Sequence, residues 1–277
     1  MRALAEFIMR GRVRAVLTTM VGIPLISPAA LALVSLRRGS NDGLMIFMWA
    51  LLPVVIVGGS GMESLMTTGI SVTQLAGVLA GALVLRSTRS WVATLVATLA
   101  VMAAGIMLTS HFNGGLKADM LEGMEALGIA PQDQLEQMMS SEAIVSGALT
   151  FWASLFAVTA LVIARWWQAL LYNPGGFGQE FHQLRMPLPV AAVGMLLWVY
   201  CLVNPDYAFW GVVAAFPLAV AGIALIHWLV ASRNWGRGPL VALYVMLFIA
   251  TLPLVGFLCG LALIDSWIDI RGRLAKN

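Results

Sequence analysis

The sequence predicts an all-α fold: a polytopic helical membrane bundle with a six-span core and a Pro-interrupted hydrophobic segment at each end, about eight apolar segments in all. Three observations lead there. Hydrophobic residues make up 60% of the 277 and charged residues 10%, with a mean hydropathy of +0.90, far from the roughly quarter-charged composition of soluble domains. Six apolar stretches approach the 20 or so residues with which a helix crosses about 30 Å of hydrocarbon. The sixteen Lys and Arg residues fall between these stretches in a pattern that one orientation satisfies and its inverse does not.

The interior spans lie near 44–62, 64–85, 90–110, 143–164, 187–203 and 208–231. Alternating them from a cytoplasmic start puts Arg37, Arg38, Arg86, Arg89, Arg165, Arg185, Arg233 and Arg237 inside. Glu63, Asp206 and the segment His111–Glu142, which carries six acids and the single cation Lys117, then fall outside. The net charge of +3 is thus the cation excess of cytoplasmic loops, which removes nucleic acid as a partner and leaves membrane lipid. Both termini are expected on the cytoplasmic side.

The ends follow from the same rule. Val13–Leu36 and Pro239–Ile264 are each long enough to cross once, yet a single crossing strands the terminal arginines outside. Gly22, Pro24 and Pro28 interrupt the first, Pro253 and Gly256 the last. Proline removes a helical hydrogen bond and clashes with the preceding turn, so broken or re-entrant segments are expected, with a kinked full span as the alternative. Ahead of them, MRALAEFIMRGR places Met1, Leu4, Phe7 and Ile8 on one helical face, as in a short amphipathic helix lying on the cytoplasmic membrane surface. The stretch 111–142 reads as two short helices split at Gly128–Pro131, either a lid or an amphipathic pair on the outer surface.

Few residues offer chemistry. Cys201 and Cys259 lie in apolar runs, where a free thiol behaves as a small hydrophobe. GGSG at Gly58–Gly61 has the GxSG spacing of rhomboid intramembrane proteases. His227, the conceivable base, sits in LIHWLV without the small neighbours such enzymes carry, so the motif is read as a turn and no enzyme is expected. No catalytic residue, cofactor or metal site is assigned; Asp265, Asp269 and Arg273 share a helical face, on which Asp269 can pair with Arg273. Gln74, Thr94, Thr98, Thr150, Ser154, Thr159 and Asn204 are able to bind an uncharged ligand or equally to bind helix to helix. Among them Gln74 and Asn204 are the candidate ligand contacts. Gly77–Gly81 and Gly256–Gly260 have the spacing of close helix packing.

The most distinctive stretch is the loop 165–187. Trp166, Trp167 and Tyr172 form an interfacial aromatic group, Asn173-Pro174-Gly175-Gly176 is a turn, and Phe177, Glu180 and Arg185 follow at the start of the next segment. These ten residues are a candidate docking surface for a cytoplasmic partner, or an interfacial anchor around a turn.

Taken with the start MRALAEFIMRGR and the ending LCGLALIDSWIDIRGRL, the motif WWQALLYNPGGFGQEFHQLR resembles the YybS-like family of uncharacterised bacterial inner-membrane proteins over essentially the whole chain. That family is distantly similar to the S (substrate-capture) subunits of energy-coupling factor transporters. The resemblance implies a bacterial cytoplasmic membrane, a six-helix core and a small-molecule binding or uptake subunit that docks on ATPase and scaffold subunits. The sequence also departs from that class, with no small-residue docking ladder on its first helix and no vitamin-binding motif. A non-transport membrane scaffold or assembly protein is the alternative.

Overall fold

The computed structural model describes residues 1–129 and 132–274, and every regular element in them is helical. In chain order these are α1 (Arg2–Met9), α2 (Arg12–Met20), α3 (Ile26–Arg38), α4 (Ser40–Gly59), α5 (Leu65–Thr88), α6 (Trp91–Asn113), α7 (Lys117–Ala126) and α8 (Gln132–Met138). There follow α9 (Glu142–Tyr172), α10 (Gly176–His182), α11 (Leu188–Leu202), a 3-10 turn at Pro205–Tyr207, α12 (Ala208–Ser232), α13 (Gly238–Ile249), α14 (Thr251–Ile268) and α15 (Ile270–Leu274). The all-α polytopic bundle expected from the sequence is the observed architecture. Among the described residues, five elements are long and apolar enough to cross a bilayer: α4, α5, α6, α9, and α12 with its leading 3-10 turn.

Two predicted boundaries differ. The span at 187–203 is α11, whose 15 residues reach only about 22 Å, because Pro187 and Pro189 start it and Asn204-Pro205 stops it. Conversely α9 runs for 31 residues. Arg165–Tyr172, expected in a loop, forms its last two turns, since no breaker occurs before Asn173-Pro174. The residue ahead of a proline avoids the helical region, and Asn173 leaves it at φ −153°, ψ 73°.

Small residues set opposite hydroxyl side chains draw the spans together. Across α5 and α6, Gly69 faces Thr109, Gly105 faces Thr73, Gly77 faces Met102 and Gly81 faces Thr98; a Cβ at any of the four glycines would stand within 2.5 Å of the opposing side chain. Gly77–Gly81 is thus a packing surface. Ser64, Ser90 and Ser141 cap α5, α6 and α9 by accepting from Thr67, Ala93 and Ile144 amides, which satisfies one orphan donor at each start.

Both end segments are helical hairpins whose two feet rest on one face of the bundle. The first breaks between Met20 and Ile26, where Gly22 (φ 73°) and Leu25 (φ 64°) take left-handed backbone. Ser27 Oγ donates to the Thr18 carbonyl at 2.8 Å across the reversal. At the feet, Arg12 and Arg38 both pair with Asp42, at 2.8 and 3.6 Å, and Arg38 donates to the Met9 carbonyl at 2.7 Å. The returning limb, α3, is buried from Ala29 to Leu36 and packs on α2, α4, α5 and α9, as a helix apolar on every side must. The last segment breaks at Ala250, three residues before Pro253. Its far end returns to α10 and the α11 start, where Arg185 donates to the Asp265 and Ser266 carbonyls at 2.9 and 3.1 Å. These feet share the end of the bundle that carries Arg86, Arg89, Arg165 and Arg233, the Arg-rich face; Glu63, α7 and α8 occupy the opposite, acidic face.

Three local expectations change. α1 does not lie free on a surface: Ala5 and Ile8 are fully buried, with Leu4 and Met9 against the core, while Met1 and Phe7 stay exposed. Asp269 pairs with Arg185 at 3.4 Å, not with Arg273, because its left-handed backbone (φ 53°) ends α14 and turns the chain. Leu127, at the end of α7, is exposed, although Met120, Leu121, Met124 and Leu127 fall on one apolar face by helical spacing in the sequence; Leu116 is instead buried with Ile106 and Val145. α7 and α8 are separate helices as expected; Ala130 and Pro131 of the split lie outside the described residues.

The acidic segment is tied down by one carboxylate. Glu142 accepts from Ser110 Oγ (2.7 Å), the Leu116 amide (2.7 Å) and the Lys117 amide (3.0 Å). Glu142→Gln, which sets an NH₂ against these donors, is expected to cost about 1–2 kcal/mol. Hydrogen exchange should show faster exchange across 114–126 and unchanged protection in α5 and α6; unchanged exchange across 114–126 would remove this anchoring role.

Candidate functional site

The hairpin of α2 and α3 explains why the bundle has a groove. At 1.5 Å per residue, α2 rises only about 14 Å and α3 about 20 Å, against about 30 Å of hydrocarbon. The hairpin therefore fills the Arg-rich half of the space between α4, α5 and α9, and the acidic half stays open. The resulting cavity is about 660 Å³. Its floor is the reversal, Thr19 to Pro28; its walls are Ala50, Pro53, Val54 and Val57 of α4, Ile70, Ser71, Gln74 and Leu75 of α5, and Leu149, Trp152, Ala153 and Phe156 of α9. Trp152 and Phe156 are half exposed and stand on its lateral rim, while Glu63, in the exposed turn between α4 and α5, stands at its mouth.

Gln74 is part of the back wall. The amide orientation that gives both ends a partner sets Nε2 3.0 Å from the Ala153 carbonyl and Oε1 3.0 Å from the Ala157 amide. It spans one turn of α9 and so contributes to packing. An amide has two N–H groups and two acceptor positions, so one donor and one acceptor remain. Thr19 and Ser27, part of the floor, donate to the Ala15 and Thr18 carbonyls, both at 2.8 Å, and their oxygens retain acceptor capacity. The site is an apolar trough with hydroxyl and amide groups along one side and its carboxylate at the entrance.

The other candidate contact, Asn204, is not in the groove: its Nδ2 donates to the Tyr200 carbonyl at 2.8 Å, closing the end of α11. Thr94, Thr150 and Thr159 donate to carbonyls four residues back, at 2.7 to 2.8 Å, and belong to their own helices. Ser60 donates to Val57 at 2.7 Å and His227 pairs with Tyr244 at 2.8 Å, one in the turn near the acidic face and the other towards the Arg-rich face. Sequence reading missed Thr19, Ser27, Ser71, Trp152 and Phe156. The signal was present: a first segment broken at Gly22-Ile23-Pro24 cannot fill a full bilayer depth.

Much of the candidate docking stretch is engaged within the chain. Trp167 is fully buried, so it is core. Phe177 packs edge-on to Trp91 and stacks on Phe181, Glu180 pairs with Arg165, and Arg185 is bound to α14. Asn173 accepts from the Gly176 amide at 3.0 Å, and buried Gly176 leaves no room for a Cβ beside the Asn173 side chain. Trp166, Tyr172, Pro174 and Gly175 remain exposed, with Arg37 over the Tyr172 ring at 4.1 Å.

Helices long and apolar enough to cross a bilayer define an integral membrane protein. No protein-family model matches the chain, and no curated protein or solved structure is significantly similar to it.

Proposed function

We propose that this membrane protein is a binding subunit for a small, mostly apolar molecule with one hydrogen-bonding group, held in the groove at Gln74. The groove itself carries the reading. Its volume of about 660 Å³ falls within the roughly 300–1,000 Å³ of small-molecule sites, which are apolar with a few placed polar groups. The lateral rim at Trp152 and Phe156 gives access from the bilayer, and the mouth at Glu63 from the acidic side. Such a role is in keeping with the substrate-capture subunits to which the YybS-like family, resembled by the sequence, is distantly similar, with Trp166, Tyr172, Pro174 and Gly175 as the surface left for ATPase or scaffold subunits.

Native mass spectrometry of the protein released from mild detergent tests this. A small-molecule adduct is expected on the parent protein and absent from Ser71→Trp, which fills the trough, with Gln74→Leu reducing it roughly tenfold. No adduct on the parent, or equal adduct on Ser71→Trp, would remove the binding reading. Orientation has its own test: with the Arg-rich face in the cytoplasm of a bacterium, a lone Cys at Glu122 reacts with an impermeant thiol reagent on intact cells and one at Pro174 does not. The reverse labelling would invert the layout.

A further inference from the structure

We propose that the Arg-rich face carries a binding pocket for a phosphoryl-bearing anion, built by Arg86 and Arg89 at the end of α5. This pocket is separate from the groove, and its argument does not depend on the groove's function. It measures about 520 Å³ and lies where the ends of α3, α5 and α9 meet α10, lined by Arg86, Arg89, Arg165, Gln168, Asn173 and Glu180. The base is already arranged. Arg86 Nη1 donates to the Leu36 carbonyl at 2.7 Å, and Gln168 Nε2 reaches the same carbonyl at 3.5 Å. Arg165 is held by the Glu180 carboxylate and the Gln168 amide oxygen, so the carboxylate of the wall is matched by one guanidinium.

Two cations then remain. The ends of three helices bring partial negative charge here, and the Leu36 carbonyl takes up one N–H of Arg86. A guanidinium has five N–H groups. The Arg89 amide donates to the Leu85 carbonyl at 3.0 Å, while its guanidinium makes no hydrogen bond or ion pair among the described residues; Arg37, stacked on Tyr172, adds a further positive charge nearby. An anion that accepts from both side chains would use the guanidinium N–H groups left free.

The backbone supplies a second, independent observation. Arg89 occupies left-handed backbone, φ 54° and ψ 20°, directly after α5, a position that glycine fills by default because a Cβ there is strained. A cation just past a helix C-terminus is favoured by the helix dipole, and here the Arg89 side chain also lines the pocket. Gly39, a glycine because of its φ of 104°, lies beside the Arg86 guanidinium, and a Cβ there would meet Nη2 in ordinary contact at 3.4 Å. Guanidinium forks match the paired oxygens of a phosphoryl group, and the Asn173 amide offers a neutral donor beside them. The pocket shares the end of α9 with exposed Trp166 and Tyr172, aromatic side chains of the kind found at headgroup depth. The phosphoryl group therefore comes from an anionic phospholipid or from soluble phosphate.

The test uses the full chain in mild nonionic detergent, with the thermal unfolding midpoint followed against phosphatidylglycerol, phosphatidylcholine or inorganic phosphate. A saturable rise is expected with phosphatidylglycerol or with phosphate. Its half-saturating concentration should increase roughly tenfold or more in Arg89→Gly and in Arg86→Gln, as befits loss of charge-assisted hydrogen bonds, and stay unchanged in Arg233→Gln. Saturation by phosphatidylglycerol without phosphate or phosphatidylcholine identifies a lipid headgroup; saturation by phosphate alone identifies a soluble ligand. Arg89→Gly retains the backbone that glycine prefers, so it decides the matter even where Arg86→Gln fails to fold. No saturable rise with any of the three probes, saturation by phosphatidylcholine equal to that by phosphatidylglycerol, or an Arg89→Gly response equal to the parent's overturns the proposal.

Discussion

Arg271→Ala is expected to lower the unfolding free energy by about 3–5 kcal/mol, the cost of leaving a buried charge without its partner. Asp265 and Arg271 pair at 3.3 Å with side chains only 3% and 11% exposed. The same guanidinium donates to the His182 and Leu184 carbonyls, so its removal also strands two acceptors. Burial, more than the neighbouring Arg271 charge, holds His182 below the usual histidine range. Denaturant unfolding in mixed micelles measures the loss. The double change Arg271→Met with Asp265→Leu should recover more than half of it, because apolar replacements remove the stranded charge together with its partner. Arg2→Ala, which breaks the exposed pair with Glu6, should change stability by no more than about 0.5 kcal/mol. A double variant no better than the single would show that packing at this joint, and not charge, sets its stability.

That joint also shows where the sequence stops being informative. The spans were legible because a helix that crosses oil must be apolar for its whole length, and the breaks near Gly22-Pro24 and Pro253 because backbone chemistry punctuates any helix in the same way. Gln74 stood out for a related reason, as the most polar group well inside a predicted span, and it lies in the groove wall with its amide paired to α9. The Asp265 pairing was not legible, since it depends on Asp269 turning the chain in left-handed backbone, which reverses the direction in which Arg271 points. Trp166 and Trp167 illustrate the same limit. They are adjacent and alike in composition, yet about 100° of helical rotation leaves one exposed and buries the other, and only the packing of α9 on its neighbours fixes that rotation. Asn204 was grouped with Gln74 as a polar side chain able to bind an uncharged ligand; which helices adjoin is a tertiary fact, and Asn204 closes the end of α11.

Gly222→Ala is expected to destabilise the bundle by about 2–3 kcal/mol, near the upper end for overpacking by one methyl group. A Cβ at Gly222 would stand 2.4 Å from the Leu258 carbonyl oxygen and 2.9 Å from its carbon. These are backbone atoms, so no rotamer change relieves the contact, and α12 and α14 must separate. Gly69 and Gly81 are as close to their neighbours, but those neighbours are Thr and Leu side chains that can rotate, and substitution there should cost less. Gly260→Ala supplies the opposite sign. Although it belongs to the Gly256–Gly260 spacing, a Cβ there meets nothing within 4 Å, and replacing a mid-helix glycine by alanine should stabilise by about 0.5–1 kcal/mol. The helix contact of α14 is thus made by its own backbone against a glycine on α12. Thermal unfolding of the two variants side by side checks this, and equal effects of the same sign would show that the α12–α14 approach does not depend on Gly222.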